Sequence, residues 1–532
     1  MDILSVRRGA GAMGARRVLA VMAALTAVTV GLAGCPGGGS GEQGGLGRRL
    51  VPGAAKGLLA SADGGWLALL DGCVEVKGRF LPPGTATCDL KVLATSGGEP
   101  RLVARAVPTL RQGALFAPEG NALAVMADYD FERGAGTLVL VRDGAAREVA
   151  RGVTFYGFVP GGGGAVAAVA EGRLVVIGPA GDRLGQHPAQ GFGSFELRRT
   201  VDGAVVGLGR TLGDQRGALF QVDLGQLGRG GRPVAEGTAD FSMAPGGRAF
   251  AYTVTGKRGT ELFLAGGQAK QPVRVAEGAR SFAFEPGGTV LAWISEAAPG
   301  KQGDLLVAAP GGAPRRLGRE VGEYRWAAAG SRLAWLEQYD PRGRAGVLGV
   351  GGPGEAPHTF GKNVTEFELS ADGSQVAFLR HTVEGGYSVD LWASEARGEP
   401  RKVARGVFGF SYSPDGRWLY YRTRCTRNGE ACDLERVAAV GADSRPQEIA
   451  RGVKSFEFDP RDAGRLLLTW QRADLVALDF GIWRDGRLVQ VDRGALPGSI
   501  RFLGPDSKRV AYAVVQPKRA GIYVASPSPV PE

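Results

Sequence analysis

Short apolar runs alternate with glycine-rich polar breaks along this chain, and one arrangement of the two returns about every 43 residues. Its clearest copy is FGFSYSPDGRWLYYRT, from Phe408 to Thr423: aromatic alternation, a Pro-Asp-Gly break, then a second apolar run. Period-two alternation predicts a strand, and Pro followed by Asp-Gly predicts a tight turn, because proline presets φ and Asp-Gly tolerates positive φ. Related copies are LLASADGGWLALL at Leu58, ALFAPEGNALAVM at Ala114, DFSMAPGGRAFAY at Asp240, SFAFEPGGTVLAW at Ser281 and EFELSADGSQVAFL at Glu366. Several second runs, such as VLAWI at Val290 and WLYY at Trp418, are apolar almost throughout, which predicts strands covered on both faces. The clearest unit reads as four strands: Phe408 to Tyr412, Trp418 to Thr423, Leu434 to Val440 and Pro446 to Ala450.

The residue before the turn glycine marks copies at Asp63, Glu119, Gly161, Asp202, Gly246, Gly287, Ala329, Asp372 and Asp415, with a degenerate copy near Asp462 and a last one at Asp506. Eleven four-stranded units, each covered on both faces, predict an all-β fold: a β-propeller whose blades pack between two others. Because rings usually hold four to eight blades, two rings are the expected arrangement, with one wide ring as the alternative. The Gly-rich segment at 225–235 is the expected division. After Asp506 the chain supplies only RVAYAVV and GIYVAS before stopping in PSPVPE, so the last unit lacks its fourth strand. RRLVPG at Arg48 stands before the first marker at the matching offset, so an N-terminal strand is expected to complete the last blade and leave no open edge.

Composition narrows the class. The 88 glycines cluster at turns without a triplet period, which excludes a collagen-like chain, and the 44% apolar fraction is ample for a core. The net charge is +11; setting aside four arginines and Asp2 in residues 1–34 lowers it by three, to +8. The remaining arginines are spread through turn and fourth-strand phrases such as REVARG at Arg147, RKVARG at Arg401 and QEIARG at Gln447. Diffuse charge of this kind suits anionic surfaces or acidic partners.

The first 34 residues place Arg7, Arg8, Arg16 and Arg17 ahead of an apolar run from Val18 to Val30 that ends in LAGC at Leu32 to Cys35. The layout is that of a secretory signal, too short to span a bilayer. It resembles a bacterial lipoprotein signal peptide, which implies lipidation of Cys35 and a membrane anchor. Residues 35–47, rich in glycine, are expected to form a flexible tether, and residues 528–532 a disordered tail. Pro36 is not the aspartate associated with inner-membrane retention, so the resemblance implies a lipid-anchored protein facing the periplasm, with the outer membrane preferred, or one at the cell surface. Export disfavours nucleic-acid partners.

The other four cysteines form two pairs, Cys73 with Cys88 and Cys425 with Cys432. Each first member lies nine residues after its turn glycine, and each second member opens Cys-Asp-Leu. Equal offsets mean one structural site used twice, so each pair is expected to close a hairpin as a disulfide in an oxidising compartment. There is no CxxC, and His187, His358 and His381 show no ligand spacing, so neither a metal nor a cofactor is expected.

The phrase F-x-F-S-P-D-G-x-x-L-x-Y resembles the WD-like repeats of TolB-type propellers and of the propellers in prolyl oligopeptidase relatives, over about Arg48 to Ser526. No G-x-S-x-G elbow and no H-E-x-x-H occur, so the catalytic signatures of those hydrolases and of zinc proteases are missing, and no catalytic residue is assigned. Thr255-Gly-Lys, the Gly161–Gly164 run and Asp128-Tyr-Asp read as turns or hairpin tips. The expected function is a non-catalytic, anchored scaffold that binds an envelope protein or polysaccharide. A propeller enzyme of hydrolase, lactonase or cyclase type, with a site in the channel, is the alternative.

Overall fold

The computed structural model describes residues 46–527 apart from 54–56, 79–80, 110–112, 212–213, 224–230, 257–258, 267–268, 298–300, 382–388, 427–428, 440–444, 460 and 473–476. The signal segment, Cys35, nearly all of the tether and the C-terminal tail lie outside the described residues. The described residues contain strands and no helix.

Each repeat is an antiparallel meander with strands a to d. In blade 1 these are Gly57–Ala60, Trp66–Glu75, Ala86–Ala94 and Arg101–Pro108; in blade 9, Gly409–Tyr412, Trp418–Thr423, Cys432–Ala438 and Gln447–Val453. The b strands are buried almost end to end, as in Trp418–Thr423 and Leu291–Ser295, because a neighbouring blade covers each face. The a strands of adjacent blades touch: Phe155 meets Phe195 edge-on at 5.0 Å, and Glu368 bonds the backbone of Tyr412. The a strands therefore face the ring axis, whereas d strands such as Ala145–Phe158 begin in solvent.

Among the described residues, eleven hydrophobic clusters define the ring. Ten join two blades consecutive in the chain, such as Val125 with Leu90 for blades 1 and 2, Phe241 with Leu208 for blades 4 and 5, and Leu419 with Leu391 for blades 8 and 9. The eleventh packs Leu58, Leu67 and Leu69 of blade 1 against Leu503, Ala511 and Ile522 of the last blade. The expectation of two rings is corrected: the clusters describe one closed ring of eleven blades. Ring size is set by the angle at which adjacent sheets pack, a property of side-chain volumes that a count of repeats does not carry. The expected division at 225–235 fails for the same reason. Arg232–Met243 runs continuously from the outer strand of blade 4 into the inner strand of blade 5, and the two blades share a core.

Closure follows the expected route. Arg48–Pro52 pairs antiparallel with Gly521–Ala525, Arg48 opposite Val524 and Pro52 opposite Gly521, so the N-terminus supplies the outer strand of blade 11.

Two local devices build the repeat. In the a–b turn, a serine two positions before the aspartate donates to it: Ser61 to Asp63 at 2.5 Å, Ser370 to Asp372 at 2.7 Å, Ser413 to Asp415 at 2.5 Å. The same serine oxygen accepts from the first residue or two of strand b, Trp66, Gln375 or Trp418, at 2.9 to 3.0 Å. At the degenerate tenth copy, Asp459 takes the serine's place and accepts from the amide of Arg461 at 3.0 Å. The second device is the corner from strand d into the next strand a. A residue at positive φ stands there before a buried small or β-branched one: Gly152 before Val153, Gly406 before Val407, Gly452 before Val453. Non-glycines hold the same corner at Ala106, Glu320 and Asn363, with φ of 48°, 50° and 61°.

Candidate functional site

Strand direction divides the ring into two faces. One carries the a–b turns and c–d loops, the other the b–c hairpins and d-to-a corners.

On the turn face, arginines latch one blade to the next. Arg332 pairs with Glu355 at 2.9 Å within blade 7 and reaches the Gly373 carbonyl of blade 8; Arg509 of blade 11 donates to Thr95 and to the Gly64 carbonyl of blade 1. Arg199 donates to the Gly161 carbonyl and Arg461 to that of Gly504. Bonded guanidiniums hold Glu355 below the usual carboxylate range, the hydrogen bond from Arg332 being the main cause. Part of the diffuse positive charge in the sequence is thus structural. A shallow groove between blades 8 and 9 on this face, about 340 Å³, is lined by Asp372, Ser374, Asp415 and Arg417.

The axial surface is uneven around the ring. The a strands of blades 4, 5, 7, 8 and 10 carry Glu196 and Arg198, Asp240, Glu323 and Arg325, Glu366 and Glu368, and Glu457, whereas at the matching positions blades 1 to 3 carry Gly57, Leu59, Leu115 and Gly157, and blades 6 and 9 carry Ser281, Ala283, Gly409 and Ser411. Several of these groups are engaged: Glu196 with Arg198 at 2.6 Å, Glu368 with Ser411 at 3.1 Å, and Arg325 lying 5.3 Å over the Phe367 ring. No group of three or more His, Cys, Asp or Glu side chains among the described residues is placed to hold a metal ion. The histidines lie apart. His187 is buried and stacked on Phe220 at 4.3 Å, His358 meets Phe360 edge-on at 4.6 Å, and His381 is exposed at the end of its strand.

The hairpin face carries both disulfides. Cys73 is bonded to Cys88 and Cys425 to Cys432, each across a b–c hairpin. The two sites are equivalent by register: Leu70 opposes Leu90 in blade 1, and Arg422 opposes Leu434 in blade 9. An exposed apolar side chain stands in or beside each pinned hairpin. Val74, next to Cys73, is 65% exposed, and Phe408, beside Gly429 in the Cys425–Cys432 loop, is 60% exposed. Neither residue was singled out from sequence, since an isolated apolar residue in a repeat reads as core. Other expected turns on this face are turns: Thr255–Gly256 pairs with Gly259–Thr260 across a hairpin, and Asp130 accepts from the amides of Glu132 and Arg133 at an exposed tip. At the opposite face, Gly161, Gly163 and Gly164 turn the chain at positive φ.

Beside Cys432 lies a polar cluster that sequence reading missed. Arg424 pairs with Asp433 at 2.7 Å and Glu435 at 2.5 Å, and Glu435 also accepts from Tyr421 at 2.7 Å. Burial pushes the Tyr421 hydroxyl well above the ordinary tyrosine value, and the bonded Glu435 adds to the shift. Arg422 is half-buried, and its guanidinium donates to the Gly429 carbonyl at 2.9 Å and to Cys432 Sγ at 3.0 Å. Desolvation lowers its proton affinity.

The sheets, their closure and the shared cores define the class: a multi-blade β-propeller. No family model matches this chain, and no curated protein does. Solved structures similar to it include a eukaryotic initiation factor, at 14% identity and TM-score 0.41 over 76% of this chain and 93% of that one. The tricorn protease is similar at 12% identity and TM-score 0.33, over 88% of this chain and 56% of the other. The β-propeller domain of the Trilobed protease from Pyrococcus furiosus is similar at 15% identity and TM-score 0.29, over 54% and 95%. No activity is carried over from them.

Proposed function

We propose that this protein is a cell-envelope lipoprotein, held through Cys35, whose propeller serves as a rigid scaffold for binding an envelope protein or polymer. TolB-like repeats and the LAGC segment in the sequence support this reading. The observation that carries it is the hairpin face, where an exposed apolar side chain stands at each disulfide-pinned hairpin: Val74 within that of blade 1, and Phe408, on the approach to strand a, beside that of blade 9. Pinning a loop before it binds lowers the entropy lost on association, and exposed apolar side chains on fixed loops suit a partner surface.

A photo-crosslinking residue at position 74 or 408 tests the face, with one at Leu488, exposed on an outer strand, as control. Discrete crosslinked species from the two hairpins and none from Leu488 support the reading; the same random abundant neighbours from all three sites would sink it. Cys35→Ser tests the anchor separately, the expected result being release from the membrane fraction. A second reading, a channel-centred hydrolase, lactonase or cyclase, is favoured by the carboxylates on the a strands of blades 7, 8 and 10. Its signature is an activity lost in a Glu366→Gln/Glu368→Gln variant that still folds.

A further inference from the structure

We propose that the Cys425–Cys432 bridge is a redox-labile modification site, opened by a dithiol oxidoreductase, while the equivalent Cys73–Cys88 bridge is structural.

The molecule supplies its own control. Both bridges sit at one register position, joining the far end of the strand b segment to the start of strand c, and both second cysteines are fully buried. They differ in the side chain three residues before the first cysteine. In blade 1 this is Leu70, packed into the core shared with blade 2. In blade 9 it is Arg422, whose guanidinium lies 3.0 Å from Cys432 Sγ.

Arg422 is half-buried, its Nε has no partner, and it forms no ion pair among the described residues. The carboxylates on the strands that pair with this hairpin are committed elsewhere: Asp433 to Arg424 and the Gly452 amide, Glu435 to Arg424 and Tyr421, Glu448 to Arg451. A desolvated cation without a counter-ion is costly, and a thiolate at Cys432 would supply one. Stabilising the reduced form makes a disulfide a stronger oxidant, and a thiolate of lowered proton affinity leaves faster.

The step balances as thiol–disulfide exchange. A thiolate of the dithiol attacks Cys425 Sγ, the more accessible sulfur; the Cys425–Cys432 bond breaks, and its electron pair leaves on Cys432 facing Arg422. The second thiolate of the dithiol then attacks the mixed disulfide and releases Cys425, which takes a proton from solvent. The dithiol becomes a disulfide and the bridge gains two electrons.

Loop length works the other way: a loop of 7 residues costs less entropy to close than one of 15, so closure entropy by itself would make the blade 9 bridge about threefold harder to reduce. The test is a dithiothreitol titration of the folded protein at neutral pH, with acid quench, alkylation and peptide mass spectrometry of all four cysteines. We expect Cys425–Cys432 to be half-reduced at a dithiol-to-disulfide ratio about tenfold or more below that for Cys73–Cys88, against the direction in which loop length acts. In Arg422→Leu the gap should vanish or reverse, and Arg422→Lys, which keeps the charge, should retain most of it. A wild-type gap of threefold or less, or the reverse order, overturns the proposal without any variant. So does an unchanged gap in a folded Arg422→Leu protein.

Discussion

At the residue scale, the repeat is held by a few short-range bonds and several strained corners. The serine–aspartate turn satisfies two strand amides and costs nothing elsewhere, which explains why its residues recur. The d-to-a corner is more demanding. Left-handed backbone costs a residue with a Cβ roughly 1 kcal/mol, yet Ala106 sits there at φ 48°. Ala106→Gly should therefore stabilise the protein by about 0.5–1 kcal/mol, read as a rise in urea midpoint with unchanged slope. His187 supplies a pH dependence. Desolvation between blades 3 and 4 holds its proton affinity below the ordinary value of about 6.5. The unfolded chain takes up the proton more readily, so His187 contributes full stability above about pH 6.5 and loses it as pH falls through that value toward the lower folded one. Wild type should lose more urea resistance between pH 7.5 and 5.5 than His187→Leu does; equal losses would dismiss the effect. Arg465 and Asp459 form a buried pair at 3.8 Å, with the Arg465 guanidinium 5.2 Å from the Phe502 ring. Asp459→Ala strands that cation and should cost about 3–5 kcal/mol by chemical denaturation.

At the element scale, strands and turns were legible because their chemistry is local. Period-two alternation gave strand a, continuous apolar runs gave strand b, and Pro-Asp-Gly marked the turn between them. The paired cysteines were legible because equal offsets in two repeats require equal places. Phe408 and Arg422 were not. Phe408 belongs to an aromatic alternation and reads as core, but the chain enters strand a only at Gly409, leaving Phe408 on the approach and in solvent. Arg422 reads as a surface residue of an alternating strand end, and only the returning strand sets it against Cys432. The N-terminal strand offers a direct test. Removing residues 48–52 exposes the edge of Gly521–Ala525, the outer strand left in blade 11. The truncated protein should unfold at lower temperature and self-associate, visible by light scattering; unchanged melting would show that the pairing contributes little.

At the scale of the whole molecule, every stabilising contact between blades is non-covalent, because both disulfides lie within single blades. Reducing both should lower stability by about 2–3 kcal/mol each without opening the ring. The sedimentation coefficient should stay constant while the thermal midpoint falls, and an expanded particle would show that the bridges hold the ring itself. The chain by itself determined the strand grammar, the eleven units, the paired cysteines and the strand that closes the last blade, since each follows from backbone period, turn chemistry or spacing. Only the tertiary structure decided that the units make one ring, which arginines latch neighbouring blades, and which hairpins carry exposed apolar groups beside a disulfide. Those depend on the angles at which sheets pack and on contacts between residues tens to hundreds of positions apart, which no local pattern encodes.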